Sequence, residues 1–435
     1  MTRRIASLKY LVATFLFVTL FFIQSLTLIW TPLFVFQALI LNVAIMLGIY
    51  AFRGFDNSTT YSLNSCVVSY ISGTILGILF ALIPIVFLNP RLPRPTFFVT
   101  AFIAAFIFPL LSCMMMRYTI KHLPPKRYLV IGREEDLGPI LEEVKNASMG
   151  KIEIYSYMNP SAATLTEAVS FEDTKPFDSI LIGDPKLARD VEFTINHAEQ
   201  RGFAVEYLPL LVESTLKRIP LEMIDIFREY YDVAFTDIHM SQRKRVFDLI
   251  LSAIGFVLTS PIILFLAIAI PIESGWPLVF KQKRIGLQMK PFVFKKFRSL
   301  TNVSEEDLEK LEDPNETIGA RVTKIGKFIR KTRLDEIPQF INVFQGDMSI
   351  IGPRPEMENY HNKALKSIPY YSYRYRLKPG ISGWAQINYP HTSTMEDYRR
   401  KTEYDLYYIK NQSFRLDLEI TLKTIETMLG MRGSK

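Results

Sequence analysis

Two carboxylates stand side by side in the run Arg330-Lys331-Thr332-Arg333-Leu334-Asp335-Glu336-Ile337-Pro338-Gln339, with two arginines and a lysine just before them. Acids set among cations suit the handling of phosphate next to an acid. Neighbouring helical residues point about 100° apart, so the two acids can take different roles on one substrate. The plain alternative is structural, because Asp and Glu are common at helix starts and such pairs are usually solvated. The run continues through Asn342, Gly346-Asp347-Met348-Ser349 and Gly352-Pro353-Arg354-Pro355.

A helix must position the pair. Proline fits a first helical turn, where its missing amide would have had no partner. With Pro338 there and Ile337, Phe340, Ile341 and Phe344 at helical spacing, a helix is expected to start near Leu334 to Glu336 and to end at Gly346. Asp335 and Glu336 would then lie at the positive end of a helix dipole, which keeps a carboxylate ionised and attracts phosphate.

The 435 residues leave room for two soluble domains and a membrane region. A hydrophobic content of 49% and a mean hydropathy of +0.14 lean toward membrane. The net charge of +8 suits nucleic acid, anionic lipid or small anions alike. Cys66 and Cys113 both lie in apolar runs, and no His-x-x-x-His pair occurs, which argues against a disulfide framework and a histidine metal site.

Apolar runs cover Leu8 to Trp30, Pro32 to Phe52, about Val67 to Leu88 and about Phe97 to Met116. Each approaches the roughly 20 residues of a spanning helix. Four spans in residues 1–120 are expected, the first as an uncleaved anchor. Arg3, Arg4 and Lys9 before the first and Arg117, Lys121, Lys126 and Arg127 after the fourth place both ends in the cytosol, against the weaker signal of Arg91 and Arg94.

Residues 121–240 alternate strand-like and helix-like runs. Strands are expected around Tyr128 to Ile131, Ile152 to Tyr155, Ser179 to Ile182 and Phe203 to Tyr207, with helices over Leu137 to Val144 and Leu187 to Gln200. This predicts a small Rossmann-like α/β domain with a largely parallel sheet. The stretch Gly132 to Gly138 lacks the Gly-x-Gly-x-x-Gly spacing and carries three acids, so a structural or regulatory domain is expected in place of a cofactor site.

A fifth apolar run, Val246 to Ile272, follows Arg243-Lys244-Arg245 and precedes Lys281, Lys283 and Arg284. It is long enough to cross a bilayer, but basic residues at both ends favour one side. A re-entrant helix over 243–272, broken at Ser260-Pro261, meets that condition. Proline frees a backbone carbonyl, which Ser260 can help to satisfy.

Beyond it, Phe292 to Ser299 alternates apolar with basic residues, as in a strand with a core face and an anion-binding face. Ser304 to Glu316 is expected to be a solvated acidic loop. Tyr370 to Arg376 interleaves aromatic and arginine residues, which suits a lipid headgroup layer better than nucleic acid. Leu418, Leu422, Ile425 and Leu429 share a helix face expected to pack in the core.

From about Arg243 to its end the chain resembles the bacterial sugar transferases, the monotopic phosphoglycosyl transferases that load polyprenyl phosphate with a hexose 1-phosphate. The resemblance is carried by the basic entry and Ser260-Pro261, Arg284-Ile285-Gly286, Pro291-Phe292, Lys296-Phe297-Arg298, Leu334 to Gln339, Asn342-Val343, Gly346 to Ser349, Gly352 to Pro355, Lys378 to Gln386 and Asp405 to Tyr408. Their order and spacing together make it specific. The N-terminal half looks like the large, exopolysaccharide-associated branch, on architecture more than on motifs.

The resemblance implies a membrane-associated α/β chain whose catalytic domain, residues 241–435, lies on the cytosolic face of the bacterial inner membrane. It implies Asp335 as nucleophile and Glu336 as its partner, which helps to hold Mg²⁺. Lys296, Arg298, Arg330 and Arg354 would bind phosphate, Asn342 and Asp347 match further site positions, and Pro353-Arg354-Pro355 lies where relatives contact the nucleotide. The expected partners are a UDP-sugar, polyprenyl phosphate, membrane lipids and a second copy of the chain, with no nucleic acid. Met289 stands where many relatives have glycine, Arg333 where serine is frequent, and Asn388-Tyr389-Pro390 where Asn-Gly-Arg is usual. A catalytically degenerate scaffold for polysaccharide assembly is the rival reading. A transporter is weaker, since the spans carry few charges.

Overall fold

The computed structural model describes residues 32–55, 63–88, 122–148, 150–158, 176–236, 238–301, 321–389 and 394–428, with isolated positions 18, 114 and 118. They fall into two compact units, Met1–Glu229 and Tyr230–Lys435.

In the first unit, α1 (Pro32–Ala51) and α2 (Leu63–Leu88) are apolar along their length. They share a core of Leu41, Ile45, Ile49, Tyr70 and Ile85. They match the second and third expected spans; apart from positions 18 and 114, the first and fourth lie outside the described residues. Cys66–Phe87 within α2 is long and apolar enough to cross a membrane, and so is the longest helix of the second unit.

The α/β part of this unit runs β1 (Lys126–Ile131), α3 (Glu134–Ala147), β2 (Ile152–Met158), β3 (Ser179–Ile182), α4 (Pro185–Asp190), α5 (Glu192–Gln200), β4 (Ala204–Tyr207), α6 (Leu208–Leu216) and α7 (Leu221–Ile226). The sheet is parallel, in the order β2-β1-β3-β4. All four expected strands form. The second expected helix is two, because Asp184 caps α4 and the chain turns at Val191 before α5. A nucleotide would bind where the strand order reverses, between β1 and β3. There a β-carbon on Gly132 or Gly183 would stand 2.4 or 2.3 Å from Leu137 Cδ1, and the Gly132 amide already donates to the Met158 carbonyl at 2.9 Å.

The second unit contains most of α8 (Arg228–Thr236) and all of α9 (Gln242–Ser274), β5 (Val279–Ile285), β6 (Pro291–Phe297), α10 (Lys324–Lys331), α11 (Gln339–Gln345), β7 (Ser349–Ile351), α12 (Glu358–Ser367), β8 (Gly380–Ser382), α13 (Trp384–Asn388), α14 (Met395–Asn411) and α15 (Phe414–Met428). Strands β5 and β6 form an antiparallel hairpin, and β7 pairs with β8 in parallel.

Helix α9 is continuous over 33 residues and runs through Ser260-Pro261 without interruption. The expected break is thus not a break in helical structure. Pro261 has no amide to offer Val257, and the Ser260 hydroxyl donates to that same carbonyl at 2.7 Å, which compensates the loss. One stripe of the helix, Lys244, Asp248, Ser252, Leu266 and Ile270, is buried against the unit, while Val246, Ile250, Val257, Leu264, Ile268 and Ile272 are exposed. Both ends are tied to the same unit. Lys244 pairs with Asp417 at 3.0 Å, and Asp248 accepts from Ser349 Oγ and the Ile350 amide. At the other end Glu273 accepts from the amides of Lys324 and Ile325 at 2.7 and 3.0 Å, at the start of α10.

Three expectations are corrected here. The Tyr370–Arg376 run does not face headgroups: Tyr371, Arg374 and Tyr375 are buried, and Arg376 lies over the Tyr373 ring and donates to the Phe235 carbonyl of α8. On α15 the buried face carries Leu416, Asp417, Ile420 and Lys423, whereas Leu418 is exposed; Ile425 has no described side chain, and Leu429 lies outside the described residues. Strand β6 does not separate an apolar from a basic face, since Lys296 lies over the ring of buried Phe294, two residues away. The acidic run Ser304 to Glu316 lies outside the described residues.

Candidate active site

The acid pair sits in a short 3-10 turn, Leu334–Glu336, with α11 beginning only at Gln339. Pro338 takes the N-cap position and Gly346 the left-handed C-cap, with φ of 90°. The helix end is where expected, and helical backbone begins at Leu334 as expected, but its first turn, which carries both acids, is 3-10 and the α-helix follows only from Gln339. Arg333 sets them apart. It adopts a left-handed conformation, φ 56° and ψ 17°, which residues bearing a β-carbon seldom take. Local side-chain charges hold the pair.

Those charges come from β6 and the segment after β7. Lys296 Nζ lies 3.4 Å from Asp335 Oδ2 and 3.3 Å from Glu336 Oε1, and Arg354 donates to Glu336 Oε1 at 2.9 Å. Asp335 is only 7% exposed. Burial pushes its pKa above the usual value; Lys296 counters this in part, and the neighbouring Glu336 charge adds to it. Burial also opposes ionisation of Glu336, but Arg354, Lys296 and Arg333 outweigh it and bring its pKa down to about 2. Two adjacent carboxylates are thus driven apart in acidity, the pattern that separates roles in an acid pair.

Arg354 is itself held in place. Its carbonyl accepts from Arg374 Nη2 at 3.0 Å, and Arg374 also donates to Tyr371 and to Asp405, at 2.7 and 2.8 Å. Lys401 pairs with Glu356, which lies 3.6 Å from Arg374. The neighbouring carbonyls are pinned too, Pro355 by Arg284 at 3.0 Å and Pro353 by the Gly380 amide at 2.9 Å. Arg284, Glu356, Arg374, Lys401 and Asp405 did not emerge as site residues from the sequence. A signal existed for two of them: Lys401, Asp405 and Tyr408 recur at helical spacing on one face of α14, where charges on a buried face need partners.

The other expected residues are placed as follows. Arg330, exposed in the last turn of α10, lends its charge to Asp335. Arg298 is not brought to the pair: its Nε and Nη1 donate to the carbonyls of Leu300 and Gly275, both at 3.3 Å. Asn342 is fully buried and ties α11 to β6, accepting from the Lys295 amide and donating to the Val293 carbonyl, with Asp347 Oδ2 at 3.5 Å. Tyr389 donates to Asp397, which caps α14, at 2.6 Å. That gives the unusual Asn388-Tyr389 pair a packing role, and Pro390 lies outside the described residues. Among the described residues no three His, Cys, Asp or Glu side chains cluster as a metal site.

Residues 239–431 match the family described as bacterial sugar transferase. The chain is 43% identical over 192 residues to a UDP-N-acetylgalactosamine-undecaprenyl-phosphate N-acetylgalactosaminephosphotransferase of Aeromonas hydrophila, covering 44% of this chain and 45% of that one. It is 44% identical over 184 residues to a UDP-glucose:undecaprenyl-phosphate glucose-1-phosphate transferase of Klebsiella pneumoniae, 42% of this chain and 39% of the relative. It thus spans less than half the length of these two relatives. An uncharacterized sugar transferase of Bacillus subtilis, EpsL, is 41% identical over 194 residues, 44% of this chain and 89% of that protein.

Proposed function

We propose that this chain, which belongs to the bacterial sugar transferase family, transfers a sugar 1-phosphate from a UDP-sugar to polyprenyl phosphate and releases UMP. The observation that carries the reading is the pair Asp335–Glu336, a buried and a half-buried carboxylate of opposite pKa direction between Lys296 and Arg354. Asp335 attacks the β-phosphorus. An Asp335 oxygen-to-phosphorus bond forms, the bond to the bridging oxygen breaks, and UMP leaves with the electron pair. An oxygen of the lipid phosphate then attacks the same phosphorus and returns Asp335 as a carboxylate. A carboxylate nucleophile divides one displacement into two easier ones. Lys296 and Arg354 offset the negative charge that gathers when two anions meet.

Asp335 Oδ1 and Glu336 Oε2 accept no hydrogen bond from the described residues. Mg²⁺ is commonly held by one or two carboxylates together with substrate phosphates, so this donor set fits it. Glu336, beside Asp335, would hold the ion, which when bound neutralises diphosphate charge.

The topology belongs to the same proposal. Helix α9 enters and leaves the cytosolic leaflet of the bacterial inner membrane, bending at Ser260-Pro261, with its exposed apolar face in lipid. The ties of both its ends to one unit support this. Cysteines introduced at Lys126 and Lys331 are then labelled from the same side of the membrane, and labelling from opposite sides would make α9 a full crossing.

Incubating membranes that contain the protein with a panel of UDP-sugars tests the activity. UMP release with one or a few of them, dependent on Mg²⁺, is expected, and no release from any would leave the scaffold reading.

A further inference from the structure

A cavity of about 160 Å³ lies beside the acid pair. Leu334, Ile337, Phe340 and Ile387 give it an apolar lining, and Arg333 and Glu336 give it charge. Thr259, from the middle of α9, is also on its wall, one residue before Ser260-Pro261.

Most polar groups of this wall are already engaged. Thr259 donates to the Gly255 carbonyl at 2.7 Å, Ser382 and Thr424 share a hydrogen bond of 2.6 Å, and Glu336 is held by Arg354 and Lys296. Gln386 Nε2 donates to the Ile381 carbonyl at 3.1 Å, and its Oε1 is buried without a partner among the described residues. Arg333 differs. Its side chain is exposed, no carboxylate lies within ion-pair distance of it among the described residues, and its left-handed backbone places it two residues before Asp335. A guanidinium with no hydrogen bond or ion pair to the described residues, feeling only the more distant Glu336 charge, is complementary, beside an apolar cavity, to a phosphate carrying a hydrocarbon chain.

We propose that the cavity takes the first units of the acceptor lipid's hydrocarbon chain and that Arg333 holds the lipid's phosphate. This rests on the transferase reading above and adds where the second substrate binds. Two phosphates meet at this site, one on the nucleotide sugar and one on the lipid. The lipid is favoured because the lining is apolar and because α9, which contributes Thr259, exposes Val257, Leu258, Leu264 and Phe265 nearby in its sequence. A nucleotide sugar has no chain to cover such a wall.

The two substrates can be titrated separately. In Arg333→Ser, the KM for polyprenyl phosphate is expected to rise about tenfold, the loss of one charge-assisted contact, while the KM for the UDP-sugar moves by less than about twofold, a change too small to represent a lost contact. Arg333→Lys is expected to recover part of the loss. Ile381→Trp, which narrows the cavity from a half-buried position on β8, should raise the same lipid KM, with the labelled covalent intermediate serving as proof of folding. A KM shift confined to the UDP-sugar in Arg333→Ser would assign the cation to the nucleotide and overturn the proposal. An unmoved lipid KM in both variants would overturn it as well. A wild-type protein that releases no UMP would instead sink the transferase reading itself, and this assignment with it.

Discussion

Asp335→Asn is expected to abolish UMP release and the sugar-phosphoryl intermediate together, by about 10⁴-fold or more as for loss of other enzyme nucleophiles, in a protein that stays folded. The carboxylate is buried, and burial raises its pKa, so its ionised form is disfavoured in the folded state relative to the unfolded one. For an acid this means a penalty that is present above the folded pKa and fades as pH falls through it. Replacing the charge with an amide of the same shape removes the penalty, and the Tm at neutral pH should be unchanged or higher. The same residue sets the acid limb of activity. In the wild type the first displacement falls away on acidification at a pH above the ordinary aspartate value, because Asp335 must be ionised to attack. Lys296 lowers that pKa, so Lys296→Met moves the limb to higher pH. Mass spectrometry of the protein after incubation with UDP-sugar reports the intermediate directly. UMP release retained in Asp335→Asn would place the nucleophile elsewhere.

How far the site could be read in the sequence depends on how local its causes are. The adjacency of Asp335 and Glu336, the cap at Gly346 and the four parallel strands are local or periodic, and each is found where expected. The 3-10 turn was not legible, because nothing in the sequence announces a left-handed Arg333; tertiary packing imposes it. The cradle was legible only in part. Lys296 and Arg354 came from motif resemblance, and both reach the pair. Arg298 came by the same route and points to Gly275 and Leu300. The cluster of Arg374, Asp405, Glu356 and Lys401 joins residues that are distant in sequence, and the run that holds Arg374 suggested headgroups. A buried charge network is visible only once the fold supplies its partners.

Arg354→Gln is the second large effect, and it separates electrostatic support from nucleophilic attack. Glu336 is a half-buried carboxylate kept ionised mainly by Arg354, with help from Lys296. Removing the guanidinium leaves that charge under-compensated, which should lower stability by about 1–3 kcal/mol and the rate of intermediate formation by about 10²–10³-fold, as when a preorganised charge is lost. The pH dependence identifies the cause. Glu336 has a folded pKa depressed from 4.5 to about 2, so its stabilising contribution is full above the unfolded value and is lost as pH falls through this window. The Tm difference between wild type and Arg354→Gln should therefore be largest above that window and close within it. Arg354→Lys keeps a charge but not the planar fork and should fall between the two. If Arg354 acts through Glu336, then in Glu336→Gln, which no longer presents a charge, the further change Arg354→Gln destabilises little. Full additivity of the two in a double-mutant cycle would mean that the Arg354 side chain steadies the site by another route, through its charge near Glu356 and Asp335.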